Sequence, residues 1–193
     1  MDIKKLLFGL ATFALLISSV PQKVAAQWSL GASYEIRDEE PENGFGVRLE
    51  RDILQRLPIV NLGLRGHFSY FNEENSLSRD GVTYSRELTN YDYGLAAVGG
   101  VSVGLVAPYV GLGLGSSTMD VNRDDLPEDS PFDEDGSDSA IYWNGFVGAE
   151  ISPVPLLTPF VEYRLEQVSN YENLDESIKE GNGRLIFGVS INF

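Results

Sequence analysis

Val60-Asn-Leu-Gly-Leu-Arg-Gly-His-Phe-Ser-Tyr70 alternates residue by residue. Val60, Leu62, Leu64, Phe68 and Tyr70 fall on one face of an extended chain, and Asn61, Gly63, Arg65, His67 and Ser69 on the other. A period of two marks a β-strand with two unlike faces. The polar face carries an arginine and the chain's single histidine. Charges there need water or partners.

The same alternation recurs on both sides of this stretch. Trp28, Leu30, Ala32, Tyr34 and Ile36 oppose Ser29, Gly31, Ser33, Glu35 and Arg37. Phe45, Val47 and Leu49 oppose Gly46, Arg48 and Glu50; Val161, Tyr163 and Leu165 oppose Glu162, Arg164 and Glu166. Leu185, Phe187, Val189, Ile191 and Phe193 oppose Arg184, Gly188, Ser190 and Asn192. Strands are predicted at 28–37, 44–52, 59–71, 87–103, 106–117, 140–151, 159–169 and 183–193. In strands with several charges, those charges share one face. Arg51 departs from this rule; it stands at a strand end, where a long side chain reaches the membrane interface.

The connections alternate as well. Polar links at 38–44, 72–85, 119–139 and 170–182 alternate with short Pro- or Leu-bearing links at 53–58, 104–108 and 152–158. Long loops at one end and short turns at the other are the sidedness of outer-membrane barrels. A soluble sandwich or lipocalin-like barrel would turn its apolar face inward. Here the polar face is rich in Gly, Ser and opposite charges. The apolar face carries Trp28, Tyr70, Tyr91, Trp143, Tyr163 and Phe193, candidates for aromatic girdles. The predicted fold is all-β: an eight-stranded antiparallel transmembrane barrel in up-and-down order. An even strand number puts both termini on the periplasmic side.

Lys4 and Lys5, an apolar run over 6–20 and Val24-Ala25-Ala26 have the order of a secretory signal, so 1–26 reads as a signal peptide and 27–193 as the barrel domain. That run is too short for a span of ~20 residues. Formal charge is −15 over the chain; removing Lys4, Lys5, Lys23 and Asp2, a balance of +2, leaves −17. No basic footprint for nucleic acid exists. The absence of cysteine excludes disulfides, thiolate metal sites and a lipid-modified cysteine. No cofactor is expected.

The terminal Gly-Arg-Leu-Ile-Phe-Gly-Val-Ser-Ile-Asn-Phe193 resembles the last strand of bacterial outer-membrane proteins, which end on an aromatic. Pro108-Tyr-Val-Gly-Leu-Gly-Leu-Gly115 and Pro159-Phe-Val-Glu-Tyr-Arg-Leu165 resemble recurrent strands of small barrels. The chain is thus similar to the superfamily that includes opacity proteins, outer-membrane protein X and the membrane domain of outer-membrane protein A. That resemblance implies outer-membrane lipids as surroundings, and Phe193 as a signal read by the barrel-assembly machinery. It implies no single activity, because the group hosts several.

Three features carry chemistry. Glu35, Arg37, Arg48, Glu50, Arg65, His67, Asp92, Glu150, Glu162, Arg164 and Glu166 are predicted to face inward. An eight-stranded barrel is just wide enough for side chains to fill it, so these charges are expected to pair and plug the lumen. A narrow ion path is the alternative. The stretch 120–138 is carboxylate-dense; 119–139 is expected to be a mobile external loop, with at most weak binding of divalent cations. Asp133-x-Asp135-Gly-x-Asp138 is mis-spaced for an EF-hand. Last, His67-Phe-Ser69 resembles a fragment of the His-x-Ser pattern of lipid A deacylases, but it lies on the third strand and faces inward. A hydrogen-bonded pair in the core is expected there. The function read from the sequence is a monomeric, non-enzymatic barrel serving envelope integrity or surface interaction. The alternatives are a lipid-modifying enzyme and a small-solute channel.

Overall fold

The computed structural model describes residues 28–53, 60–79, 82–124, 136–152, 156–168 and 183–193. The expected signal peptide 1–26, the middle of the acidic stretch and the link 170–182 lie outside these residues. The strands are β1 (Trp28–Arg37), β2 (Asn43–Asp52), β3 (Val60–Arg79), β4 (Val82–Val101), β5 (Val106–Asp124), β6 (Gly136–Ile151), β7 (Leu157–Val168) and β8 (Gly183–Asn192). Each pairs antiparallel with its neighbours in chain order, and β1 pairs with β8 to close the barrel. Backbone bonds between Trp28 and Phe193, at 3.2 and 2.9 Å, complete that seam. No open edge remains around the barrel wall among the described residues.

The polarity is inverted relative to a soluble protein. Leu95 (73% exposed), Ile141 (68%) and Phe45 (68%) stand on the outside among many other apolar side chains. An apolar patch of that extent belongs against lipid. Meanwhile Arg65, Asp92, Glu162 and Arg184 are buried inside.

Strand length divides the molecule. Strands β1, β2 and β8 have ten residues each. At ~3.3 Å per residue and a tilt of ~40°, ten residues rise about 25 Å, the height of the lipid-facing band. β3 and β4 have twenty residues each. They therefore rise about twice the band. This corrects the expected loops at 72–85 and 119–139. The first is nearly all hairpin, paired out to Arg79↔Val82. The ends of the second are strand, Met119 pairing with Asp138 and Val121 with Gly136. Like-charge repulsion alone would keep the acidic stretch open. Instead, Leu88, Met119 and Val121 turn inward and cluster. Hydroxyl, amide and carboxyl groups point outward and bond across strands: Asn72 to Glu87 (2.7 Å) and Thr89 (3.0 Å), Ser85 to Glu74 (3.0 Å), Thr118 with Ser139 (2.8 Å), and Ser137 to Asp120. The expected short link at 104–108 shifts to the turn around Gly104, whose φ of 65° suits glycine.

Glycines decide how the interior fills. Phe146 is directly opposite Gly111, Tyr142 opposite Gly115, Tyr109 opposite Gly148, and Phe160 opposite Gly188. In each case the ring lies where a Cβ on the glycine would have to be. The aromatic rings thus occupy space left free by the missing side chains of the neighbouring strand.

Candidate functional site

Alternation aims the polar faces of β1 to β8 into one lumen, where their charges meet in two tiers. In the tier nearer the chain ends, Arg65 lies between Glu50 (2.8 Å) and Glu162 (2.5 Å). Arg48 bonds Glu150 at 2.5 Å and Ser190 at 3.0 Å. The Tyr109 hydroxyl donates to Glu162 at 3.0 Å. In the tier nearer the loops, Arg184 donates to Glu35 (2.9 Å), Asp92 (2.8 Å) and Glu166 (2.8 Å). Arg37 adds a second cation to Asp92 at 2.9 Å. Arg164 joins the tiers: it bonds Glu162 at 2.8 Å and stands 4.0 Å from Glu166.

Aromatic faces support the guanidinium planes. Arg48 lies 3.4 Å from the Phe160 ring centre, and Arg37 lies 3.5 Å from that of Phe71. Such stacking is favourable for a planar, weakly hydrated cation. Arginine also presents a fork of donors, so one side chain satisfies several carboxylates at once. No lysine occupies the lumen among the described residues.

All eleven inward residues named from the sequence (Glu35, Arg37, Arg48, Glu50, Arg65, His67, Asp92, Glu150, Glu162, Arg164 and Glu166) sit in this network. Sequence reading misses Arg184, the residue with most carboxylate partners. Its alternation opposite Leu185 and Phe187 is the available signal. It also misses Tyr109, Tyr142, Phe146 and Phe160, whose inward position follows from the same alternation.

His67 and Ser69 are not bonded as a base and nucleophile. His67 Nε2 is 2.8 Å from the Tyr142 hydroxyl, which donates to Asp92 at 3.4 Å. Ser69 Oγ donates to Glu35 at 3.1 Å and accepts from Arg184 at 3.2 Å. Both are buried in the lumen. The expected hydrogen-bonded pair is therefore not formed; each residue is hydrogen-bonded in the core to other partners.

Trp28, Tyr70, Trp143, Tyr163 and Phe193 are exposed on the outside wall, and Tyr91 shares that face directly opposite Tyr70. A polar cavity of about 220 Å³ opens at the end of the barrel that holds the chain ends, lined by Glu50, Asp52, Arg65, Tyr109 and Glu150 among others. Its floor is the Arg65 tier. Among the described residues, no group of three or more His, Cys, Asp or Glu is arranged to hold a metal ion.

No family model matches the chain, and no curated protein matches it. Solved structures do. The chain is similar to a major outer-membrane protein from Thermus thermophilus, at 14% identity over 88% of this chain and 100% of that one, with a TM-score of 0.60. It is similar to Neisserial surface protein A at 16% identity over 86% of this chain and 96% of that one, with a TM-score of 0.55. The N-terminal β-barrel domain of Pseudomonas aeruginosa OprF matches at 14% identity over 86% of this chain and 96% of that one, with a TM-score of 0.53. Identities this low speak for the fold. In its strand number, its meander order, its closure and its inverted polarity, the chain has the fold of the eight-stranded outer-membrane β-barrels.

Proposed function

We propose that this chain is an integral outer-membrane barrel without enzymatic activity, serving envelope integrity or surface contact by what it holds outside the membrane. Both termini lie on the periplasmic side, and β3 to β6 rise beyond the outer leaflet as a four-stranded sheet. The observation that carries this reading is the pairing of a shut lumen with that extension. The lumen is filled by ion pairs, which leaves the barrel as a rigid support. The extension offers a structured polar surface, with Glu74, Glu87 and Asp120 in its cross-strand bonds. Monomeric barrels of this size need no partner to close, and the assembly role of Phe193 follows from the resemblance of the last strand.

The acidic stretch 120–138 joins β5 to β6. A cation bound there would be held weakly, since several carboxylates must be ordered first. The lipid-modifying alternative draws no support from the geometry. Neither His67 nor Ser69 faces the lipid, and a base must reach its proton within about 2.6–3.2 Å or through one water.

An epitope inserted within 125–135 tests the reading. It is expected to bind antibody on intact cells; recognition only after permeabilisation would contradict outward display. In the same cells, lipid A mass spectra should be unchanged by expression of the protein. Acyl loss abolished by His67→Ala and Ser69→Ala would establish an enzyme instead.

A further inference from the structure

The outer wall carries a cation that the lumen network does not absorb. Arg51 stands one residue before the end of β2 with its side chain exposed and directed outward, continuing the face of Val47 and Leu49. It pairs across strands with Trp28 on one side and Leu64 on the other. Its guanidinium lies 5.1 Å from the Trp28 ring centre, within the range of a cation–aromatic contact. No carboxylate among the described residues lies within ion-pair distance of it. The adjacent Asp52 lines the polar cavity at the mouth of the lumen, on the opposite face of the strand.

Resting on the membrane reading above, the geometry points to Arg51 and Trp28 as a binding site for the phosphate of an anionic phospholipid in the periplasmic leaflet. A guanidinium facing hydrocarbon is costly, and a long side chain at a strand end escapes by reaching the headgroup layer. At that depth the anion on offer is a phosphodiester, and the planar fork of arginine fits two of its oxygens at once. The indole supports the guanidinium, whose N–H donors have no carboxylate to satisfy them among the described residues. Indole rings themselves favour the headgroup level. The charge pattern of the outer wall supports the assignment. In the cross-strand bonds at the loop end the outward charges are the carboxylates Glu74, Glu87 and Asp120. An anionic lipid is therefore attracted at the end of the barrel that holds Arg51.

Fluorescence quenching by brominated lipids tests this at the site itself. The chain has two tryptophans, so Trp143→Phe leaves Trp28 as the only one. That protein is reconstituted into phosphatidylcholine vesicles containing either brominated phosphatidylglycerol or brominated phosphatidylcholine. A preference of about five-fold for phosphatidylglycerol at Trp28 is expected, the size of one basic residue's attraction near a membrane surface. Arg51→Gln should remove the preference, and Arg51→Lys should keep part of it. Inorganic phosphate at matched ionic strength should leave it in place. Equal quenching by the two lipids, a preference that survives in Arg51→Gln, or one cancelled by inorganic phosphate would each overturn the site. The mobility of unboiled samples on SDS gels reports whether each variant is folded. Failure of the Trp143→Phe protein to insert at all would instead remove the membrane reading beneath the proposal.

Discussion

Arg184 shows how much rests on single residues in this lumen. Its guanidinium satisfies Glu35, Asp92 and Glu166 together, and it is 1% exposed. Arg184→Met should strip Glu35 of its cation, leave Asp92 with Arg37 alone and Glu166 with the more distant Arg164, and cost ~3–5 kcal/mol. Urea titration in lipid vesicles measures the loss; a cost under ~1 kcal/mol would mean that water enters and screens the cluster. Gly188 is a second sensitive position for a steric reason. Gly188→Val places its side chain against the Phe160 ring and should cost ~1–3 kcal/mol in the same titration. An unchanged midpoint would show that the ring is not seated on that backbone. The inward direction of these residues was legible, because alternation is local. The hub role of Arg184 was not. Its partners Glu35 and Asp92 are 149 and 92 positions away, and they meet it only when β8 closes onto β1 and the lumen brings β4 across.

At the level of the strands, the membrane-crossing parts were readable and the extension was not. Within the lipid band one face is continuously apolar, and the pattern of Val60 to Tyr70 could hardly be misread. Beyond Tyr70 and Tyr91 the outer side of the wall meets water in place of lipid. The outward face turns to Asn72, Glu74, Glu87 and Thr89, and composition alone reads as loop. Two signals remained in the sequence. The register ending at Arg79↔Val82 leaves Asp80-Gly81 between the strands, a dipeptide strongly favoured in two-residue hairpins. Leu88, Met119 and Val121 also keep the inward alternation through the acidic region. Leu88→Asp should therefore loosen the extension and spare the barrel. Hydrogen exchange is expected to speed up at 86–90 and 119–121 and stay slow at 93–98. Uniformly faster exchange would show that the two regions unfold as one unit.

Over the whole molecule, the long-range pairing of strands and the filling of the lumen support one another. A barrel wall without edges needs β8 on β1, and that seam runs through Trp28 and Phe193. Deleting Phe193 removes the final backbone exchange with Trp28 as well as the terminal aromatic. Barrel yield in cells should fall; an unchanged yield would contradict a role in assembly. Closure then brings Arg48, Arg65, Arg164 and Arg184 to their carboxylates in the shared interior, with aromatic rings on glycine between them. The central consequence of the proposed function is a wall that crosses the membrane around an interior expected not to conduct. Planar-bilayer recording of the refolded protein tests this most directly, with membrane insertion verified on the same preparation. The expected trace shows little steady conductance at either polarity. A stable, large, open channel in the wild-type protein would contradict the lumen described above.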